Sequence, residues 1–251
     1  MKDLAPLPIQ SPIGGAPIYF RNETDTTMED ARALPLADAP DGTVVLTAFQ
    51  RAGRGRRAGR VWHSAHGESL MFTLLRREVL HPQVQSLRMA AAVAEVLARR
   101  WEIPACIKWP NDVLVDGRKI CGVLADYADG VLAIGCGLNL LQQSFPPELE
   151  ASATSVFLSC THRPIMPEGP LEHALAALAV SLLEHYVDLA TRWHDVLTER
   201  LYGHGSQAQV RKPDGRIIRG TLSGVAPDGA LLLESEKLYR LAAGEVSLDQ
   251  R

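Results

Sequence analysis

The sequence predicts an α+β protein: a mixed β-sheet flanked by helices, with a small β-barrel at the C-terminal end. Three observations predict it. Strand-like runs of Val, Ile, Leu, Phe and Thr recur through about the first 140 residues, bounded by turn residues. Two stretches, 82–101 and 171–189, instead carry the apolar spacing of helices. Beyond Gly203-His-Gly205 the pattern changes again, to short alternating strands split at Pro213-Asp-Gly215, Pro227-Asp-Gly229 and Ala243-Gly244. A first domain is therefore expected over residues 1–203 and a second over 204–251.

Residues 1–16 are rich in Pro and Gly, which predicts an extended or loose segment, and 17–21 read as a short strand. Asp25, Thr26 or Thr27 can cap a helix running toward Leu34. Glu29 and Asp30 fall in its first turn, where acidic side chains meet the positive end of the helix dipole. Hydroxyls at a helix N-terminus are equally suited to hold a polar ligand. Asp38-Ala-Pro-Asp-Gly42 is a turn, and strands at 44–49 and 70–75 flank a loop rich in Arg and Gly.

The helix at 82–101 shows an apolar stripe of Val84, Leu87, Ala91, Val93, Val96 and Leu97, and Pro104 stops it. Lys108 then ends an apolar strand and is followed at once by Pro110-Asn111-Asp112. Asn and Asp are expected to tie this turn through their own backbones. The stretch reads either as an ordinary turn after an edge strand or as a lysine held as a point charge for a carboxylate or phosphate. Asp116-Gly117 signals a hairpin, and strands at 119–127 and 131–140 follow, joined by 128–130. Gly135 and Gly137 weaken their strand unless something lies flat against the backbone there. Residues 141–170 look irregular, and 192–201 form another helix.

A chain of 251 residues, 46% hydrophobic and with a net charge of −3, has room for one sizeable core plus a small satellite domain. The overall negative charge argues against a polyanion binder, so DNA is not expected as a partner. No run approaches the roughly 18 apolar residues of a membrane helix, and the N-terminus lacks a signal-peptide pattern. A soluble, cytoplasmic protein is expected, with no membrane partner. Cys106, Cys121, Cys136 and Cys160 form no C-x-x-C pair and sit mostly in apolar runs, which predicts buried free thiols. His63 and His66 lack a nearby carboxylate, so no metal site is assigned to them.

The positive charge is concentrated in residues 50–62, Q-R-A-G-R-G-R-R-A-G-R-V-W, where thirteen residues carry five arginines and three glycines. Glycine lets the backbone approach a ligand closely, and the planar arginine fork fits carboxylate and phosphate oxygens in pairs. Three readings stay open on these grounds: a solvated basic loop, a site for a small anion, and a nucleic-acid patch.

This loop together with Lys108-Trp-Pro-Asn-Asp112 resembles the two signatures of the biotin–protein ligases. Supporting matches are Asp25-Thr-Thr27, Lys119-Ile-Cys-Gly-Val-Leu124, Gly135-Cys-Gly-Leu-Asn139 and the closing Gly244-Glu-Val-Ser-Leu248. The resemblance runs from about Ile18 to Leu248. It implies a biotin–lipoate ligase catalytic domain, of the class II aminoacyl-tRNA synthetase-like kind, and a C-terminal SH3-like barrel. It also implies a two-step reaction. Biotin is activated with ATP and Mg2+ to biotinyl-5′-AMP, and a lysine of a biotin carboxyl carrier protein then takes the biotinyl group.

By the same resemblance, Lys108, Arg54 and Arg56 carry the catalysis, screening the two anions that must meet. Thr26, Thr27, Met28, Gln50, Gly55, Gly135 and Gly137 join Arg54, Arg56 and Lys108 around biotin. Arg60 holds the triphosphate with Arg56 and Lys108, Trp62 packs against adenine, and Asn111 and Asn139 lie near the nucleotide. No protein metal ligand is assigned, since Mg2+ arrives with ATP, and a homodimer is compatible with the family's edge strands.

Two departures stand out. Arg57-Ala-Gly59 makes the loop one residue longer than the commonest spacing, and the chain starts without the winged helix-turn-helix of many relatives, so a repressor function is not expected. Two alternatives remain: a lipoate or octanoate ligase of the same superfamily, told apart by ligand preference, and a nucleic-acid-binding module, which predicts steeply salt-dependent DNA binding without ATP.

Overall fold

Alternating apolar residues build the framework. The computed structural model describes residues 4–248 apart from 54, 56–61, 78, 163 and 165. In chain order the elements open with β1 (Ala5–Gln10), β2 (Pro17–Thr24), α1 (Thr27–Ala33), β3 (Val44–Gln50) and β4 (Ser69–Arg77). They continue with α2 (Gln85–Trp101), β5 (Cys106–Lys108), β6 (Asp112–Val115), β7 (Arg118–Ala128) and β8 (Val131–Asn139). Four helices follow, α3 (Pro147–Glu150), α4 (Val156–Ser159), α5 (Leu171–Asp188) and α6 (Trp193–Glu199). Strands β9 (Gln207–Arg211), β10 (Ile217–Val225), β11 (Leu231–Glu234), β12 (Leu238–Leu241) and β13 (Glu245–Leu248) close the chain.

The first eight strands form one sheet in the order β1-β2-β3-β4-β8-β7-β6-β5. Only β2 and β3 run parallel; the other neighbours are antiparallel, so the sheet is mixed and the fold is α+β. Successive side chains on a strand point to opposite faces. Val44, Leu46, Leu70, Phe72 and Leu74 therefore face a large core shared with α2 and α5, while Val45, Leu75 and Ala133 meet α1 on the other side. Strands β7 and β8 turn at Asp129-Gly130 and β6 and β7 at Asp116-Gly117, all with positive φ, as two-residue hairpin turns require. The last five strands make a second, antiparallel sheet in the order β12-β11-β10-β9-β13, and its buried Val210, Leu222 and Leu233 join the same continuous core.

Four expectations need correction. Residues 1–16 contain the edge strand β1; Pro6 and Pro8 lie on one side of it, and a residue without a donor is tolerated there because no further strand pairs with that side. The helix α2 has no single stripe. Ala90, Ala92 and Ala94 are also buried, because α5, α6 and the sheet enclose the helix on several sides. Only Cys121 and Cys136 are buried. Cys106 is exposed because strand alternation turns it opposite to the buried Ile107, and Cys160 is half-buried. The irregular segment 141–170 holds the short helices α3 and α4, the latter capped by the Ser155 hydroxyl, which accepts from Leu158 N.

The α2–α5 contact is pinned by a buried polar pair. Tyr186 is fully buried, its hydroxyl donates to Gln85 Oε1, and the Arg88 guanidinium lies 4.1 Å from its ring centroid. Burial pushes the phenol's pKa up, which keeps it a donor. Replacing Tyr186 with Phe leaves a buried acceptor unpaired. It is expected to cost about 1–3 kcal/mol, read as a lower urea midpoint at unchanged slope.

Candidate active site

The sheet register sets out the site. Residues paired across strands share a face, and one such row runs Thr47, Met71, Gly137, Gly122, Asp112, Lys108 from β3 to β5. The next row on that face is Val45, Thr73, Gly135, Leu124. Helix α1 covers this face over β3, β4 and β8. Between α1 and β7 remains a cavity of about 190 Å³.

The cavity floor is bare backbone. Gly122 and Gly137 are directly paired on adjacent strands, and the Trp62 indole lies over them. A Cβ on Gly137 would stand 2.9 Å from Trp62 Cε2, and one on Gly122 would stand 3.3 Å from Cζ3. The sequence expectation that Gly137 serves close approach thus has a physical counterpart, and Gly122 adds an unforeseen partner. A Cβ on Gly135 would meet Met28 Cε at 3.2 Å, so Met28 lines the same space. Trp62 N donates to Gly53 O at 2.9 Å, tying together the two ends of the arginine-rich loop, and Trp62 Nε1 is buried without a hydrogen-bond partner among the described residues.

One wall is polar. Thr26 caps α1, accepting from Glu29 N at 3.1 Å, so the capping reading holds for this threonine. Thr27 N and Thr27 Oγ1 both donate to Gln50 Oε1, at 2.8 and 3.2 Å, and Thr27 Oγ1 lies 2.9 Å from Thr73 Oγ1. Among the described residues Gln50 Nε2 has only the Met71 thioether, 3.6 Å away, and sulfur is a weak acceptor. That amide is a donor in reserve for a ligand. Thr73 was absent from the sequence expectations; its signal is a buried hydroxyl inside the otherwise apolar run Leu70–Leu75.

At the Trp62 end stands a lysine that sequence reasoning missed as a site residue. Lys119 Nζ lies 2.7 Å from Asp112 Oδ1, 5.7 Å from the Trp62 ring centroid, and 2.9 Å from where a Gly122 Cβ would be. Residues 119 and 122 differ by an odd number, so strict alternation would put them on opposite faces. The register between β6 and β7 shifts after Val113, pairing Leu114 with Lys119, and this bulge swings Lys119 to the glycine side.

Lys108 closes the same row, half-buried, and has no salt bridge or hydrogen bond from its ammonium among the described residues. Asn111 ties its turn through its backbone, its N donating to Lys108 O at 3.2 Å, while its Nδ2 donates to Val123 O at 2.8 Å; it lies outside the cavity. Asp112 likewise reaches across to Lys119. Asn139 is buried, donating to Thr154 O at 2.9 Å and accepting from Gln142 at 3.4 Å, also away from the cavity. Arg54, Arg56 and Arg60 lie outside the described residues, and Gly55 is not among the cavity residues. Arg51, the first arginine of the loop, is engaged by Asp25 at 2.9 Å and Glu23 at 3.3 Å. Among the described residues no group of three His, Cys, Asp or Glu could hold a metal ion.

The sequence belongs to a known class: a model of the biotin/lipoate A/B protein ligase family matches residues 18–139. The chain is 31% identical over 251 residues to a bifunctional ligase/repressor, BirA, of Bacillus spizizenii, covering 96% of this chain and 76% of that protein. It is 30% identical over 242 residues to a biotin–[acetyl-CoA-carboxylase] ligase of Mycobacterium tuberculosis, covering 89% and 86%. Its fold is similar to a solved structure of biotin protein ligase from Aquifex aeolicus in complex with biotin and ATP, with TM-score 0.71 and 24% identity over 93% of this chain and 99% of that one. The chain belongs to the biotin–protein ligase family.

Proposed function

We propose that this protein joins biotin to a carrier protein in two steps. A biotin carboxylate oxygen attacks the α-phosphorus of ATP, forming biotinyl-5′-AMP as pyrophosphate leaves. A lysine amine of a biotin carboxyl carrier protein then attacks the carbonyl carbon, loses a proton, and displaces AMP. The observation that carries the proposal is the cavity itself, with a hydroxyl and amide wall facing a glycine floor and two lysines beyond it on the same sheet face.

Thr27, Thr73 and the amide of Gln50 match the carbonyl and N–H groups of a ureido ring, and Met28 over Gly135 and the Trp62 indole over Gly137 suit its flat apolar side. This supports biotin over lipoate, whose dithiolane offers the Gln50 amide only sulfur, a weak acceptor, in place of a ureido oxygen. With the ring held there, the acid runs toward Trp62 and Lys119. Lys119 and Lys108 then screen the repulsion between carboxylate and phosphate, and preorganised cations of this kind stabilise the charge that develops in the transition state. Arg54, Arg56 and Arg60 are assigned to the same anions on their sequence motif, and Trp62 to the adenine. Magnesium enters as the ATP complex, its coordination met largely by phosphate and water oxygens.

The finer assignments are part of the same proposal. The catalytic unit spans residues 1–203, and the five short strands of 204–251 form an SH3-like barrel. The edge strands are where a homodimer would form, and the free thiols suit the cytoplasm. The second step is tested by incubating the protein with biotin, ATP and a purified carrier domain. One lysine is expected to gain one biotinyl group, and loss of the gain when that lysine is replaced by Arg confirms the acceptor. No gain with an intact carrier would remove the transfer step.

A further inference from the structure

We infer that the C-terminal sheet is a positioning element for the adenylation site, acting through the indole of Trp109; this rests on the function proposed above. Trp109 follows Lys108, precedes a cis peptide bond to Pro110, and is 3% exposed. Lys108 faces the cavity side of the sheet, and the next side chain turns the other way. There Trp109 Nε1 donates to Gly229 O at 2.9 Å, across 120 residues of sequence.

The acceptor is itself fixed. Gly229 belongs to the turn between β10 and β11, where its N–H donates to Ala226 O at 2.8 Å and its φ is +87°. A Cβ there would be strained, and would stand 3.1 Å from Val84 Cγ1 and 3.5 Å from Leu87 Cδ1. The turn is thus wedged against the start of α2. At the β7 end, Asn111 exchanges bonds with Val123, with Nδ2 donating to its carbonyl at 2.8 Å and Val123 N donating to Asn111 O at 2.9 Å. Asp112 holds Lys119 at 2.7 Å. Residues 108–112 are therefore fixed at both ends, by β7 on one side and by the C-terminal sheet on the other. Both lysines take their position from that short segment. Trp109 is a positioning residue, since it touches neither the cavity nor Lys119.

The experiment is steady-state biotin-dependent ATP–pyrophosphate exchange on the full chain, with Trp109→Phe, Gly229→Ala and the double variant. Phe keeps the apolar ring and loses the donor; Ala displaces the acceptor turn. Each single variant is expected to lose about tenfold in kcat, the size of one lost hydrogen bond. KM for biotin should stay within about twofold, because the polar wall is on α1, β3 and β4, and the double variant should fall little further than the worse single one, as for two changes to one contact. If Trp109→Phe does not fold, Gly229→Ala decides alone. Unchanged kcat in the variants would overturn the inference, as would kcat loss matched by the loss of folded fraction. A wild-type protein without biotin-dependent exchange would remove the proposed function, and the positioning role with it.

Discussion

Lys119→Ala is expected to slow biotin-dependent ATP–pyrophosphate exchange by about 10²- to 10³-fold, the usual cost of deleting one preorganised donor to a developing charge. The expectation follows from its place between the Trp62 ring and the Gly122 floor, where a β-bulge has turned it toward the cavity. Deleting it also leaves Asp112 without its counter-ion, so a stability loss could imitate a catalytic one. The double variant with Asp112→Asn removes that orphaned charge; it should recover stability without recovering exchange. Lys108→Ala is expected to lose about 10²-fold on the same grounds. Its ammonium has no carboxylate partner among the described residues, so its removal leaves nothing unpaired and the melting temperature should hold. Exchange within threefold of wild type in either lysine variant would remove that lysine from the mechanism.

Gly137→Val is expected to weaken biotin binding about 5- to 150-fold, measured by calorimetry without ATP, with the circular dichroism spectrum unchanged. Even a bare Cβ at Gly137 stands 2.9 and 3.0 Å from two indole carbons of Trp62. Two further methyl groups must push that indole into the cavity where the ring is proposed to lie, and overpacking of this kind costs about 1–3 kcal/mol, which gives that range. Valine is at home in a β-strand, so the sheet itself should tolerate it. Unchanged affinity would place the biotin ring elsewhere.

Much of the fold was legible in the sequence because local chemistry decides it. Asp116-Gly117 and Asp129-Gly130 turn as hairpin dipeptides should, and Thr26, one of the three candidate caps, caps α1. The candidate site was legible where short motifs carry it, as in Asp25-Thr-Thr27, in Gln50 at the start of the arginine-rich loop, and in the Gly135/Gly137 pair. What escaped depends on partners distant in sequence. Lys119 reaches the glycine face only because β6 and β7 slip by one residue, which no period-2 pattern reveals. Thr73 matters only because α1 lies across β4. Asn139 looks like a ligand-binding amide until Thr154 and Gln142 take up its hydrogen bonds. The edge strand β1 escaped because Pro and Gly signal looseness, whereas an edge tolerates missing donors.

ATP–pyrophosphate exchange by the purified protein, with biotin, with lipoate and with neither acid, tests the central claim most directly. Exchange that appears with biotin alone is the predicted result, since a ureido oxygen gives the Gln50 amide the acceptor that a dithiolane lacks. Exchange with lipoate in place of biotin would contradict the assignment of the cavity, and exchange with neither would contradict the activity itself.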